Sequence, residues 1–249
     1  RPRVEIVGLP GPWMNAAMAH GIEDTVSYNP LRLDAYQRAI GPGENAGDIN
    51  LRRYPRTFRG YRSTMARLLG IEVVVFDRPI EKLPVHVPRP TDAVALLEGP
   101  KAWVYLLPTA EPRAVLATQT RVVDSEALIE GREIPAFDPG REALIDAGTP
   151  TRLAYPGGPA QGRARILHHG ANRVEIAVES AAGGVLVLHD LWYPGWIAEV
   201  DARPEPVLRA NLLFRGVEVP AGARQVVFRF QPLSIEALAE AARGVFDGG

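Results

Sequence analysis

The chain has 249 residues, a formal net charge of -1 and a hydrophobic fraction of 46%. Such a chain can bury a core without metals or disulfides. It contains no cysteine, which excludes disulfides, thiolate zinc sites, iron–sulfur clusters and cysteine nucleophiles, and its near-zero charge argues against a nucleic-acid partner, which needs a basic surface. Lysine occurs only at Lys82 and Lys101. Arginine therefore supplies nearly all the positive charge, and a cluster of arginines on one folded face would point to an anionic ligand. No apolar run reaches the roughly 18 residues of a membrane-spanning helix, and no signal peptide opens the chain. It begins Arg1-Pro2-Arg3 without methionine and reads as a processed chain or an excised fragment.

With 23 prolines and 24 glycines, turns are dense and elements short, which favours strands over long helices. Val4 to Val7 reads as a strand ended by Gly8 and Pro10. Residues 13 to 20, with Trp13, Met14 and Met18, read as a short helix. Tyr28-Asn29-Pro30-Leu31 reads as a turn leading into a helix around Leu33, Tyr36 and Ile40, followed by a loop from Gly41 to Asn50. A helix is expected from about Thr57 to Leu69, with Ser63 or Thr64 near its start and Gly70 as its stop. Ile71 to Phe76 follows as a buried strand.

From residue 92 the apolar period changes to two. Ala93 to Leu97 and Ala102 to Leu107 flank the turn Glu98-Gly99-Pro100-Lys101, as in a hairpin. Arg113 to Val123 reads as one strand, Ser125 to Ile129 as a helix, Phe137-Asp138-Pro139 as a turn, and Glu142 to Asp146 as a closing segment. Downstream the pattern is almost wholly β. Residues 163–168 pair naturally with 172–179, where Val174, Ile176 and Val178 face one way, the alternation of a sheet with one buried face. Val185 to Leu188 reads as a central strand. Residues 196–200, 208–213, 215–219 and 225–230 complete the set. Ser234 to Phe246 has an apolar stripe at Ile235, Leu238, Ala242 and Val245 and reads as a helix. The expected fold is mixed but mostly β. A mixed α/β region spans 1–150, and a jelly-roll-like β-sandwich with a terminal helix spans 151–249.

The most distinctive run is His189-Asp190-Leu191-Trp192-Tyr193-Pro194-Gly195-Trp196, continuing through Val200 to Asp201. Pro194-Gly195 suits the centre of a type II turn, where proline presets φ and glycine accepts a positive φ. Further on come Arg209-Ala210-Asn211 to Val217 and then Val219-Pro220-Ala221-Gly222. This order of pieces resembles the C-terminal extracytoplasmic region of YfhO-like bacterial membrane proteins, polytopic proteins related to the GT-C class of lipid-linked-sugar glycosyltransferases. The match covers about 185 to 232. Weaker echoes lie at Gly21 to Pro30, at Leu68-Leu69-Gly70-Ile71 and at Glu111-Pro112-Arg113-Ala114. Two departures stand out. The family's Asp-Gly turn is Asp201-Ala202 here, so the turn must differ or Ala202 must carry strain. The family's Lys-Tyr is Glu72-Val73.

The resemblance implies that sugar transfer belongs to acidic residues in a membrane part outside this sequence. It implies an extracytoplasmic, non-catalytic domain whose partners are its own transmembrane region and a glycan or lipid-linked sugar. No catalytic residue, cofactor or metal is assigned. Candidate ligand-binding residues are Trp192, Tyr193, Trp196, Asp190, Asp201 and Asn211. The aromatics suit first of all filling the core at the sandwich edge, and alternatively stacking on a sugar ring. Strand alternation turns Trp196 inward. His168-His169 and His189-Asp190 lack metal-ligand spacing, and no Gly-x-Ser-x-Gly elbow or phosphate-loop spacing is present. Two further readings remain: an interaction domain packing on its own transmembrane bundle, marked by a large exposed apolar patch near both termini, and an independent glycan hydrolase, which needs two carboxylates in a deep pocket.

Overall fold

A computed structural model describes residues 2–11, 16–26, 33–42, 46–108, 110–131, 133–149 and 162–232. The expected turn at 28–31, the start of the helix at 13–20 and the terminal helix from Ser234 lie outside the described residues. The chain is mostly β and forms two compact units, one of residues 1–112 with 126–135 and one of 113–125 with 136–249. Residues 113–125 and 136–149 thus group with the second unit, upstream of the boundary expected at 150.

The first unit is built on five strands: β1 (Arg3–Val7), β2 (Glu23–Asp24), β3 (Ile71–Phe76), β4 (Val94–Glu98) and β5 (Trp103–Leu106). Their order is β2-β1-β3-β5-β4. β1 runs parallel to both β2 and β3, whereas β5 is antiparallel to β3 and β4. Short helices α1 (Ala16–Ala19), α2 (Asp34–Ile40) and α3 (Thr64–Leu68) accompany the sheet, and α4 (Ser125–Ile129) begins at the last residue of the second unit's first segment. The helix expected from Thr57 is reduced to α3. Gly60 sits at φ +147°, outside helical space, and Ser63 caps α3 by accepting a hydrogen bond from the Ala66 amide at 3.3 Å. Phe58 and Tyr61 instead turn into an aromatic cluster with Tyr54 and Phe76. Gly70, at φ +63°, ends the helix as expected.

The second unit is a β-sandwich. Its strands are β6 (Ala114–Ala117), β7 (Gln119–Val123), β8 (Glu142–Asp146), β9 (Arg163–His169), β10 (Arg173–Glu179), β11 (Gly184–Leu191), β12 (Trp196–Val200), β13 (Arg203–Glu205), β14 (Leu208–Ala210), β15 (Phe214–Val219) and β16 (Gln225–Phe230). One sheet has the order β13-β12-β16-β10-β9, and the other β6-β11-β15-β14-β8-β7. Between them lie Val174, Ile176 and Val178, as the alternation predicted, with Leu186, Leu188, Trp196, Val217, Val226 and Phe228. The single strand expected from Arg113 to Val123 is broken at Thr118. There the amides of Thr118 and Gln119 both donate to the Arg141 carbonyl, at 3.0 and 2.9 Å. Its halves, β6 and β7, are the two edges of the same sheet. One interrupted strand therefore supplies both edges of that sheet, and β11, next to one edge, is buried along Gly184–Asp190. The strand expected at 208–213 stops at Ala210, because Asn211 and Leu212 take φ +46° and +73°.

Candidate functional site

β11 and β15 pair regularly until Leu188 faces Arg215, and the next pair is Leu191 with Phe214. The irregularity falls on His189 and Asp190, and such bulges re-aim side chains. Asp190 is left where strands of both sheets converge. Its Oδ1 accepts from Arg113 Nε at 2.9 Å and Nη2 at 2.7 Å. Its Oδ2 accepts from Arg215 Nη2 at 3.0 Å and lies 2.9 Å from His169 Nε2. The carboxylate side chain is 10% exposed and that of Arg215 4%. With two arginines on one aspartate, the charges form a tightly hydrogen-bonded cross-brace.

Arg215 links this brace to the aromatic turn. Its guanidinium carbon lies 3.5 Å from the centroid of the Trp196 ring and 5.6 Å from that of Phe228, a cation–π arrangement away from water. Trp196 is buried, in accord with strand alternation, and its Nε1 has no hydrogen-bond partner. Gly195 takes φ +98°, and a Cβ there would meet the Phe230 ring at 2.9 Å. Only glycine suits this corner, where Tyr193, Trp196 and Phe230 pack with centroids 5.3–6.0 Å apart. Trp192 and Tyr193 are half-buried, so parts of these two rings face solvent.

The remaining candidates lie elsewhere. Asn211 caps a separate contact: its Oδ1 accepts from the Leu144 amide at 2.9 Å and its Nδ2 lies 3.3 Å from His189 Nε2. His189 is buried, edge-on to Phe214 at 5.1 Å. Asp201 follows the far end of β12 and accepts from the Arg224 and Gln225 amides at 3.1 and 2.9 Å. Asp201 and Ala202 both have positive φ, +47° and +64°. Ala202 thus sits in backbone space that favours glycine and carries strain. The structure joins Asp190, Trp196 and Tyr193 in one cluster, and Asp201 stands apart from it.

Arg113, Arg215 and His169 escaped the sequence reading as partners of Asp190. They lie 77, 25 and 21 positions from it, and no local spacing encodes such pairing. Among the described residues no group of three or more His, Asp or Glu is placed to hold a metal ion. No helix among them is long and apolar enough to cross a membrane.

No protein-family profile matches the chain, and no curated protein matches it. Among solved structures, the chain is similar in part to the arabinofuranosyltransferase AftD from mycobacteria. Identity is 26% over 33% of this chain and 6% of AftD, with a TM-score of 0.26. A mutant form of AftD gives 26% identity over 33% of this chain and 7% of that one, again at a TM-score of 0.26. The likeness is confined to that third of the chain, and no residue role is carried over from it.

The first unit holds two other polar features. Glu5 and Arg52 form a buried ion pair, with Arg52 Nη2 donating to Glu5 Oε1 at 3.1 Å, and Glu5 Oε2 has no hydrogen-bond partner. Burial pushes the Glu5 carboxyl above its usual range, with the Arg52 charge acting against that shift. A pocket of about 200 Å³ lies beside α3, lined by Arg56, Thr57, Arg59, Ser63, Thr64 and residues 133–134.

Proposed function

We propose that the chain is a non-catalytic, extracytoplasmic accessory domain of a polytopic membrane protein related to lipid-linked-sugar glycosyltransferases. It contacts glycan or polyprenyl-linked sugar through the solvent-facing parts of Trp192 and Tyr193. One observation carries the non-catalytic part. Both oxygens of Asp190, the carboxylate linked to the aromatic turn through Arg215, are engaged by Arg113, Arg215 and His169. A carboxylate so held has no free lone pair directed at a substrate and serves to brace the sandwich. The order of motifs from 185 to 232 supports the membrane-protein setting. For the hydrolase reading, the pocket beside α3 has one carboxylate in its lining, Glu133, where glycan hydrolysis uses two.

Titration of the chain with cell-wall glycans and polyprenyl-phosphate sugars tests the reading. Binding is expected, with Trp192→Ala weakening it by about tenfold through lost ring contact. No binding to any of them, or turnover of one by this chain alone, overturns it.

A second reading, an interaction domain that packs on the membrane-spanning part of the same polypeptide, is favoured by β4. This edge strand is exposed throughout, with Val94, Leu96 and Leu97 at 58, 56 and 57%. An apolar exposed edge is costly unless covered. Replacing Leu96 and Leu97 with serine would then abolish crosslinks between this strand and the membrane part in the intact protein; unchanged crosslinks would exclude it.

A further inference from the structure

The arginines of the first unit are, with few exceptions, spoken for. Arg3 pairs with Glu23, Arg38 with Asp34 and Glu126, Arg52 with Glu5, Arg62 with Asp92, Arg67 with Glu111 and Arg78 with Asp77. Arg53 and Arg89 donate to backbone carbonyls. Among the described residues of that unit, Arg56 and Arg59 alone make neither kind of contact, and both line the same pocket. The first unit, which pairs its other described guanidiniums, leaves these two together at one concavity.

The remaining lining suits a small anion. Thr57 is committed, since its hydroxyl donates to the Ala39 carbonyl at 2.5 Å. The Ser63 oxygen accepts from the Ala66 amide, which leaves its O–H free to donate. Thr64 adds a second hydroxyl. Gly131 takes φ +110°, and a Cβ there would lie 3.5 Å from Arg56 Cδ. The Arg56 stem thus packs along Gly131 while its head stays exposed. A volume of about 200 Å³ falls below the roughly 300–1,000 Å³ of sites for drug-sized ligands. Two guanidinium forks and two hydroxyls match a tetrahedral oxyanion with several acceptor oxygens.

We infer that the pocket formed by Arg56, Arg59, Ser63 and Thr64 binds a phosphate group, carried as a monoester or diester. Glu133 sits in the same lining and opposes the anion, which sets its affinity low and makes a sharp test. This site belongs to the first unit and is independent of the aromatic turn.

The test titrates the whole chain with inorganic phosphate, with glycerophosphoglycerol, and with vesicles of phosphatidylglycerol against vesicles of phosphatidylcholine. Arg56→Gln and Arg59→Gln, both on exposed side chains, are each expected to weaken binding by about tenfold. Glu133→Gln is expected to tighten it, and Arg224→Gln, in the second unit, to leave it unchanged. Binding of the soluble phosphates supports a soluble ligand; binding only to phosphatidylglycerol vesicles supports a lipid headgroup. Absence of binding to every probe, or equal loss in Arg224→Gln and Arg56→Gln, overturns the inference. Circular dichroism of each variant separates lost binding from lost fold.

Discussion

The two units bury a carboxylate in opposite ways. In the second, Asp190 is held through both oxygens by two arginines and a histidine, and it retains some contact with solvent. In the first, Glu5 meets one arginine through one oxygen in a fully buried site, and its other oxygen has no hydrogen bond. Hydrogen bonds and cations repay the cost of removing a carboxylate from water only when they reach both oxygens. The second unit meets that condition and the first does not. Burial accordingly raises the Glu5 carboxyl above its ordinary range. What strain the second unit carries sits in its backbone, at Asp201-Ala202 and Asn211-Leu212.

The largest expected effect lies in the first unit. Arg52→Met leaves Glu5 charged and unpaired in the core, and urea unfolding at pH 7 should show a loss of about 3–5 kcal/mol. Part of that loss should return at lower pH, as Glu5 takes up a proton. The unaltered protein should show the same sign more weakly. A carboxyl whose value is raised on folding contributes full stability below its unfolded value and loses it as the pH rises through the folded one. Glu5→Gln should flatten that decline between the two values; an unchanged pH profile would mean that Glu5 is not the titrating group.

Next in size is the brace. Asp190→Asn removes the charge that holds Arg113 and Arg215 together, and should cost about 2–3 kcal/mol. The near-ultraviolet circular dichroism of Trp196 should change with it, because Arg215 lies against that ring. A stable variant with an unaltered spectrum would break the comparison, since the brace would then carry no stability.

The smallest effect has the opposite sign. Ala202→Gly removes a Cβ from a residue at φ +64° that is exposed, and should stabilise by about 1 kcal/mol, read as a higher unfolding midpoint. Leu212, at φ +73°, is fully buried, so glycine there would lose more in burial than it gains in backbone freedom. A contrast in sign between Ala202→Gly and Leu212→Gly would separate strain from packing.

Local chemistry made much of the second unit legible. The alternation of Val174, Ile176 and Val178 marked the buried face of β10, and Pro194-Gly195 marked the corner. The break at Thr118 was not legible. It depends on the Arg141 carbonyl, just ahead of the neighbouring strand β8, receiving both amides, and periodicity in 113–123 does not record it. The helix expected from Thr57 failed because the apolar spacing of Phe58 and Tyr61 serves an aromatic cluster rather than a helical stripe.

By itself, the sequence determined that the chain is mostly β, that its corner needs glycine and that arginine carries its positive charge, because turn geometry, strand alternation and side-chain chemistry act over a few neighbouring residues. Only the tertiary structure decided which arginines are paired. It joined Asp190 to Arg113, Arg215 and His169, and left Arg56 and Arg59 together at a pocket. Ion pairing is set by distance in space, and between strands brought together from separate stretches of sequence the nearest partners are residues far apart along the chain.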